Sequence, residues 1–306
     1  MLNKKKIVVV GSANWDLTLA VDKFPEPGET LLVRSASSTC GGKGANQALA
    51  IAGQNASAVF VGCLGRDSAA KKILEVLTSA GVETYGSVQH VGGMKTGNAT
   101  VVIDRTGENY ILVDSGANSS LDSATVSTVL STYLHEGEVL VCQAEIPRDT
   151  LIAAIEYAYE ISAVIVLNLA PFAMLPTAVL KKVDYLIVNE IEACQVLDEK
   201  FVNWTETKQL APALASLVAR AAIITGGSNG ALLCRTSGEV AVVPAEKVAV
   251  VDTTGAGDAF VGAFAAALAS GVQLQEAVRK GVDLGTEMVQ VEGAQHLNVP
   301  EKGLGV

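Results

Sequence analysis

The sequence predicts an α/β protein, a three-layer sandwich on a mostly parallel sheet with a small second β-sheet beside it. Three observations predict this. From residue 121 onward, short apolar runs alternate with helical stretches, the βαβα pattern of a parallel sheet covered on both faces. Within about residues 13–40 and again within 95–117, strand-like segments follow one another with no helix between them, so they read as a β excursion off the main sheet. Hydrophobic residues are 49% of the 306 and charged residues 18%, which supports a sizeable core and argues against disorder. No repeat, low-complexity tract or linker divides the chain, so residues 1–306 read as one domain carrying the small sheet as a sub-domain.

In chain order, residues 7–10 (Ile-Val-Val-Val) form the first strand, which ends at Gly11. This run is too short for a signal h-region, and no apolar stretch is long enough to cross a bilayer. Residues 17–21 and 30–33 read as short strands around the turn Phe24-Pro25-Glu26-Pro27-Gly28. Gly41-Gly42-Lys43-Gly44-Ala45-Asn46-Gln47 opens a helix that runs to about residue 52. A strand at 57–61 and an amphipathic helix at 67–80 follow, with Ile73, Leu74 and Leu77 on one side. Residues 97–104 and 108–114 read as a hairpin that joins the earlier excursion in one small sheet. Such a sheet could cover a site as a lid or bury its apolar face against a second subunit. The main sheet continues with strands at 139–143, 163–168, 185–188 and 222–225, between helices such as 150–159 and 208–218. Residues 248–251 (Val-Ala-Val-Val) read as a buried strand leading to an Ala-rich helix at 259–270.

A net charge of −10 argues against a nucleic-acid partner, which needs a basic face, but not against small anions bound by local amides. Five scattered cysteines with no C-x-x-C pair fit reduced thiols in a cytoplasmic protein. His90, His135 and His296 show no metal-ligand spacing.

The most informative stretch is Asp252-Thr253-Thr254-Gly255-Ala256-Gly257-Asp258. Two glycines at a helix entry let the backbone approach a ligand, and first-turn N–H groups favour an anion there. A carboxylate beside such a hole would repel a bound phosphate yet could take a proton from an attacking hydroxyl, which points to phosphoryl transfer to an alcohol. Equally, Asp258 reads as an ordinary helix N-cap. Asn14 and Asp16 follow the first strand, where ligands of open α/β sheets bind, and suit hydroxyl groups. Lys43 and Asn46 offer donors at a helix start, although the run fails the Walker A template because Gly44 follows Lys43. Glu145, Asn189 with Glu192, and Thr225-Gly226-Gly227-Ser228-Asn229-Gly230 follow three later strands. Glu192 could hold Mg²⁺ through water, or Asn189 and Glu192 could simply form a capping box. The dinucleotide fingerprint G-x-G-x-x-G is missing, which disfavours a nicotinamide dehydrogenase.

In order and spacing, the early Gly-Ser-Ala-Asn14-Trp-Asp16, the Gly41–Gln47 run and the Asp252–Asp258 run resemble the ribokinase-like (PfkB) carbohydrate kinase family over nearly the whole chain. The resemblance implies an α/β sandwich with a β lid, and lids of two subunits clasped in a homodimer. It implies transfer of the ATP γ-phosphate to a primary hydroxyl of a pentose, D-ribose giving ribose 5-phosphate. By motif, Asn14, Asp16, Gly42, Lys43, Asn46 and Glu145 would hold the sugar, and Asp258 would be the base. Gly255, Ala256 and Gly257 would form the anion hole. Asn189 and Glu192 would order Mg²⁺ and phosphates, and Thr225, Gly227 and Gly230 would bind nucleotide. Asp252 and Thr254 match positions of a monovalent-cation site, usually K⁺. The pattern departs at Gln290-Val291-Glu292-Gly293-Ala294 and at Leu297, where a serine commonly helps bind the cation, and Val282 stands where an asparagine is frequent near the adenine. Deoxyribose, another sugar or a nucleoside are alternative acceptors, the last disfavoured by only 5% aromatic residues. A non-catalytic sugar-binding regulator is the alternative of another class.

Overall fold

The computed structural model describes residues 5–84, 86, 88–200 and 203–291. The chain runs β1 (Ile7–Val10), β2 (Asn14–Ala20), β3 (Ser35–Gly41), α1 (Lys43–Gly53), β4 (Ala58–Leu64), α2 (Ser68–Ser79), β5 (Val88–His90), β6 (Asn98–Ile103) and β7 (Asn109–Asp114). It continues as α3 (Ser123–Tyr133), β8 (Val139–Gln143), α4 (Arg148–Glu160), β9 (Val164–Asn168), α5 (Thr177–Leu180), β10 (Tyr185–Asn189), α6 (Glu190–Val196) and α7 (Trp204–Ala215). It closes with β11 (Ala221–Thr225), β12 (Ala231–Arg235), β13 (Val240–Val243), α8 (Ala256–Ala269) and α9 (Leu274–Met288).

Continuous apolar strands need cover on both faces, and they have it. Ile7 to Val10 are all fully buried. Val8 and Val10 face a core shared with α3 to α7, while Ile7 and Val9 face α1, α2, α8 and α9. The large sheet has the order β13-β12-β11-β10-β9-β8-β1-β4-β5. It is parallel from β5 through β11, and β12 and β13 turn back antiparallel at one edge. The second sheet has the order β3-β2-β6-β7 and leaves the first just after β1.

Strand order reverses at β1. The chain first winds through β4 to β5 on one side, then returns to β8 on the other. The carboxyl ends of β1 and β8 therefore flank the crevice where open α/β sheets bind ligands. Two helices close on this crevice. A Cβ on Gly44 would lie 2.7 Å from the Gly11 carbonyl carbon, so only glycine lets α1 begin against the end of β1. A Cβ on Gly262 would lie 2.3 Å from the Ala50 Cβ, so α8 packs hard against α1.

Three expected elements differ. Residues 248–251 are not a strand: Val250 and Val251 are exposed, and the Val251 N–H bonds the Val289 carbonyl after α9. The strand expected at 30–33 lies at Ser35–Gly41, where seven small or polar residues pair along β2. The helix expected at 208–218 begins at Trp204, because the Asn203 side chain accepts the Glu206 N–H at 3.1 Å and caps it there. Introducing Gly262→Val should destabilise the protein by about 1–3 kcal/mol through overpacking, read as a lower urea midpoint at unchanged slope.

Candidate active site

Gly255 caps α8 with φ 79°, a left-handed conformation that glycine adopts without steric penalty. The helix then starts at Ala256, which puts Asp258 in its first turn. The N-cap reading of Asp258 is thereby overturned: Gly255 occupies that position. The carboxylate looks outward to α1 instead. Asn46 Nδ2 donates to Oδ2 and Gln47 Nε2 to Oδ1, both at 3.0 Å. Asp258 is buried. Nothing among the described residues lies within 4 Å of a Cβ built on Gly257, so the first turn borders open space.

The start of α1 is equally constrained. Gly42 has φ 84°, and a Cβ there would lie 2.8 Å from Ala13 Cα. The next amide, of Lys43, donates to Glu145 Oε2 at 3.0 Å, and the Ser12 hydroxyl donates to the same oxygen at 2.5 Å. Burial works against the Lys43 ammonium, but the carboxylates of Asp258, Glu145 and Glu192 outweigh it and hold its pKa above the usual value. One ammonium thus sits among three carboxylates from α8, the β8–α4 loop and α6.

Asn118 fixes Asn14. Its Nδ2 donates to Asn14 Oδ1 at 2.8 Å, while its Oδ1 accepts the Ala13 N–H at 3.0 Å. Asp16 accepts the Ala99 N–H at 2.9 Å, and its other oxygen presses on Gly41, where a Cβ would lie 1.9 Å away. Burial, opposed by the Ala99 bond and aided by Glu145, pushes the Asp16 carboxyl up to about 6.

Asn189 and Glu192 form a full capping box, with both reciprocal bonds at 2.8 Å. Glu192 also feels Lys43, although burial dominates and raises its pKa. Thr225 pairs with Asn189 across β10 and β11. Gly227 (φ 52°) is exposed, whereas Gly230 (φ 83°) is buried, and a Cβ there would lie 2.1 Å from the Val243 carbonyl oxygen. The fold itself therefore requires glycine at 230. The Thr254 N–H donates to Asp252 Oδ1 at 2.8 Å in a local turn. Leu297 and Glu292 to Ala294 lie outside the described residues.

A model of the pfkB family of carbohydrate kinases matches residues 4–302. The chain belongs to that family. It is 35% identical to a ribokinase of Staphylococcus aureus, covering 95% of each chain. It is 31% identical to a deoxyribokinase of Salmonella typhi over 94% of each. The solved structure of Arabidopsis thaliana ribokinase complexed with ribose and ATP superposes with a TM-score of 0.86 at 29% identity, over 95% of this chain and 94% of that one.

For a pfkB family carbohydrate kinase, the polarity of the site is telling. With Asn46 Nδ2 given to Asp258, Asn46 Oδ1 is buried and has no hydrogen-bond partner among the described residues. Asn46 Oδ1 and the carboxylates of Asp16, Glu145 and Asp258 are acceptors, a set that suits a ligand rich in O–H donors. Sequence reasoning missed Gln47, Gln143, Asn168 and Asn118, which hold the others. Gln47 stood inside the glycine-rich run and Gln143 at a strand's carboxyl end, and position was the one signal that could have marked them.

The raised Asp16 pKa has a sign in stability. Between the unfolded value of 3.8 and the folded value of about 6, the folded chain holds the extra proton, so stability grows as pH falls through that window. Above it the buried charge costs the fold. Asp16→Asn should therefore stabilise the ligand-free protein by about 1–3 kcal/mol at pH 8 and by almost nothing near pH 4, measured by denaturant titration at both values.

Proposed function

We propose that this chain transfers the γ-phosphoryl group of ATP to the primary hydroxyl of a pentose, D-ribose, giving ribose 5-phosphate and ADP. The observation that carries the reading is the buried Asp258 carboxylate. Among the described residues its side chain takes hydrogen bonds from two amide donors, so it is an acceptor, and it lies at the head of a glycine-entered helix where its charge acts on Lys43. The ribokinase relatives, one solved with ribose and ATP, support it.

Asp258 accepts the hydroxyl proton as the sugar oxygen bonds the γ-phosphorus and the bond to ADP breaks, its electron pair leaving with ADP. The amides of Gly255, Ala256 and Gly257 and the Lys43 ammonium offset charge on the transferring oxygens. Asn14, Asp16, Gly42, Lys43, Asn46 and Glu145 orient the sugar, and such orientation removes several kcal/mol of barrier. Asn189, Thr225, Gly227 and Gly230, at and just after the ends of β10 and β11, would bind the nucleotide. The second sheet, within residues 13–40 and 95–117, acts as a lid that excludes water from the transfer.

Glu192 fits Mg²⁺ bound mainly by phosphate and water. Among the described residues no three His, Cys, Asp or Glu groups converge on a metal site, so a protein cage is not what this donor set offers. When bound, Mg²⁺ would supply positive charge that offsets the charge of the phosphates. Asp252 and Thr254 are the proposed contacts of a monovalent cation, K⁺. A cytoplasmic location fits the five free, buried cysteines. No helix among the described residues is long and apolar enough to cross a membrane.

A homodimer through the lid is supported by β7. Tyr110, Ile111, Leu112 and Val113 are 61, 57, 68 and 64% exposed on an edge strand, an apolar surface that calls for a partner. Light scattering should give twice the chain mass, and Leu112→Lys should give the monomer; a monomeric parent would remove this interface.

A second reading, deoxyribose as acceptor, is favoured by the likeness to the Salmonella typhi deoxyribokinase. Assays of ADP release with Mg-ATP and a panel of pentoses, hexoses and nucleosides separate the two. Asp258→Asn should lower kcat about 10²–10⁴-fold, the usual range for a lost general base, with nucleotide affinity unchanged. Near-native turnover would take Asp258 out of that role.

A further inference from the structure

We propose that Gln47 is a positioning residue for Asp258 and that Gln143 keeps it in register. The inference rests on the reading of Asp258 as the base. Gln47 and Gln143 are both fully buried. A buried amide is costly unless its groups are paired, so a chain of them here needs a reason that apolar side chains would not meet.

The orientation of the chain follows from one backbone group. The Ile187 carbonyl can only accept, and it takes Asn168 Nδ2 at 3.2 Å. Asn168 Oδ1 therefore turns towards α1. That oxygen also can only accept, so Gln47 must present its nitrogen, which it does at 3.0 Å. The same nitrogen reaches Asp258 Oδ1 at 3.0 Å. Gln47 Oε1 then faces away and accepts Gln143 Nε2 at 2.7 Å. Gln143 is backed by the end of β1, where a Cβ on Gly11 would lie 2.0 Å from its Oε1.

The series is directional and ends on a donor at Asp258. Turned over, the Gln47 amide would aim a carbonyl at the carboxylate and repel it. Asn46 holds the second oxygen, so two adjacent residues of α1 set the plane of the carboxylate. Lys43 is the charged group that faces it. The candidate sugar contacts Asn14, Asp16 and Glu145 make their hydrogen bonds elsewhere, so Gln47 acts on the base and not through them.

The test is a double-mutant cycle read in kcat. Gln47→Leu should lower kcat about 10–100-fold, the scale of a misplaced reacting group, with the Michaelis constants for sugar and ATP within about threefold. In an Asp258→Asn background the same substitution should have no further effect on kcat, because a positioning residue acts only through the group it positions. Thermal unfolding of each variant separates lost fold from lost rate. If Gln47→Leu does not fold, Gln143→Leu, whose side-chain hydrogen bond among the described residues goes to Gln47 and not to Asp258, carries the same cycle with a loss of about 3–10-fold that is again silent in the Asp258→Asn background. A folded Gln47→Leu with kcat within about threefold of the parent, or an equal further loss in the Asp258→Asn background, overturns the proposal. Native turnover in Asp258→Asn alone would instead remove the base assignment and this inference with it.

Discussion

Two hydrogen bonds bridge more than two thirds of the chain: Asn46 and Gln47 donate to Asp258 from 212 and 211 positions away. They join the first turn of α1 to the first turn of α8, and the rest of the architecture serves to let them form. Both helices enter through left-handed glycines, Gly42 and Gly255. Both lie close because Gly262 meets Ala50 with no side chain between. Hydrogen bonds to a charged group contribute about 1.5–3 kcal/mol each, enough to keep a buried carboxylate in one place but not to make its burial favourable by itself. The large apolar core on either face of the sheet carries that cost.

The site is a store of electrostatic tension on an acidic protein. Asp258, Glu145 and Glu192 surround Lys43, and Asp16 and Glu145 repel one another closely enough to help raise the Asp16 pKa. Such clusters destabilise a fold and are kept where they work. On a chain of net charge −10, the Lys43 ammonium and the amides at the head of α8 are the kind of donors that suit an anion. Around that point the carboxylates offer acceptors to a polyol.

Much of this was legible in the amino-acid order. The central strand at 139–143 falls where apolar alternation placed it, and the glycine-rich runs do open helices. Local signals failed where partners decide. Ser35–Gly41 has little β propensity and is a strand because β2 supplies the ladder and the register. Residues 248–251 have high propensity but no strand to pair with, since β13 already ends the sheet and the end of α9 takes the Val251 N–H. At the site, charged residues at strand ends announce themselves, whereas Gln47, Gln143 and Asn168 look like any polar residue until the topology brings three elements under Asp258. Amide orientation is a property of the network, and no spacing rule encodes it.

The central claim is that the Asp258 carboxylate, held by its amide donors, faces the hydroxyl that is phosphorylated. A crystal structure with D-ribose and a non-hydrolysable ATP analogue tests it most directly. The account predicts the primary hydroxyl oxygen about 2.6–3.2 Å from an Asp258 oxygen, on the side facing the γ-phosphate. A sugar bound with that hydroxyl more than about 5 Å from the carboxylate, with no water bridging the gap, would contradict it.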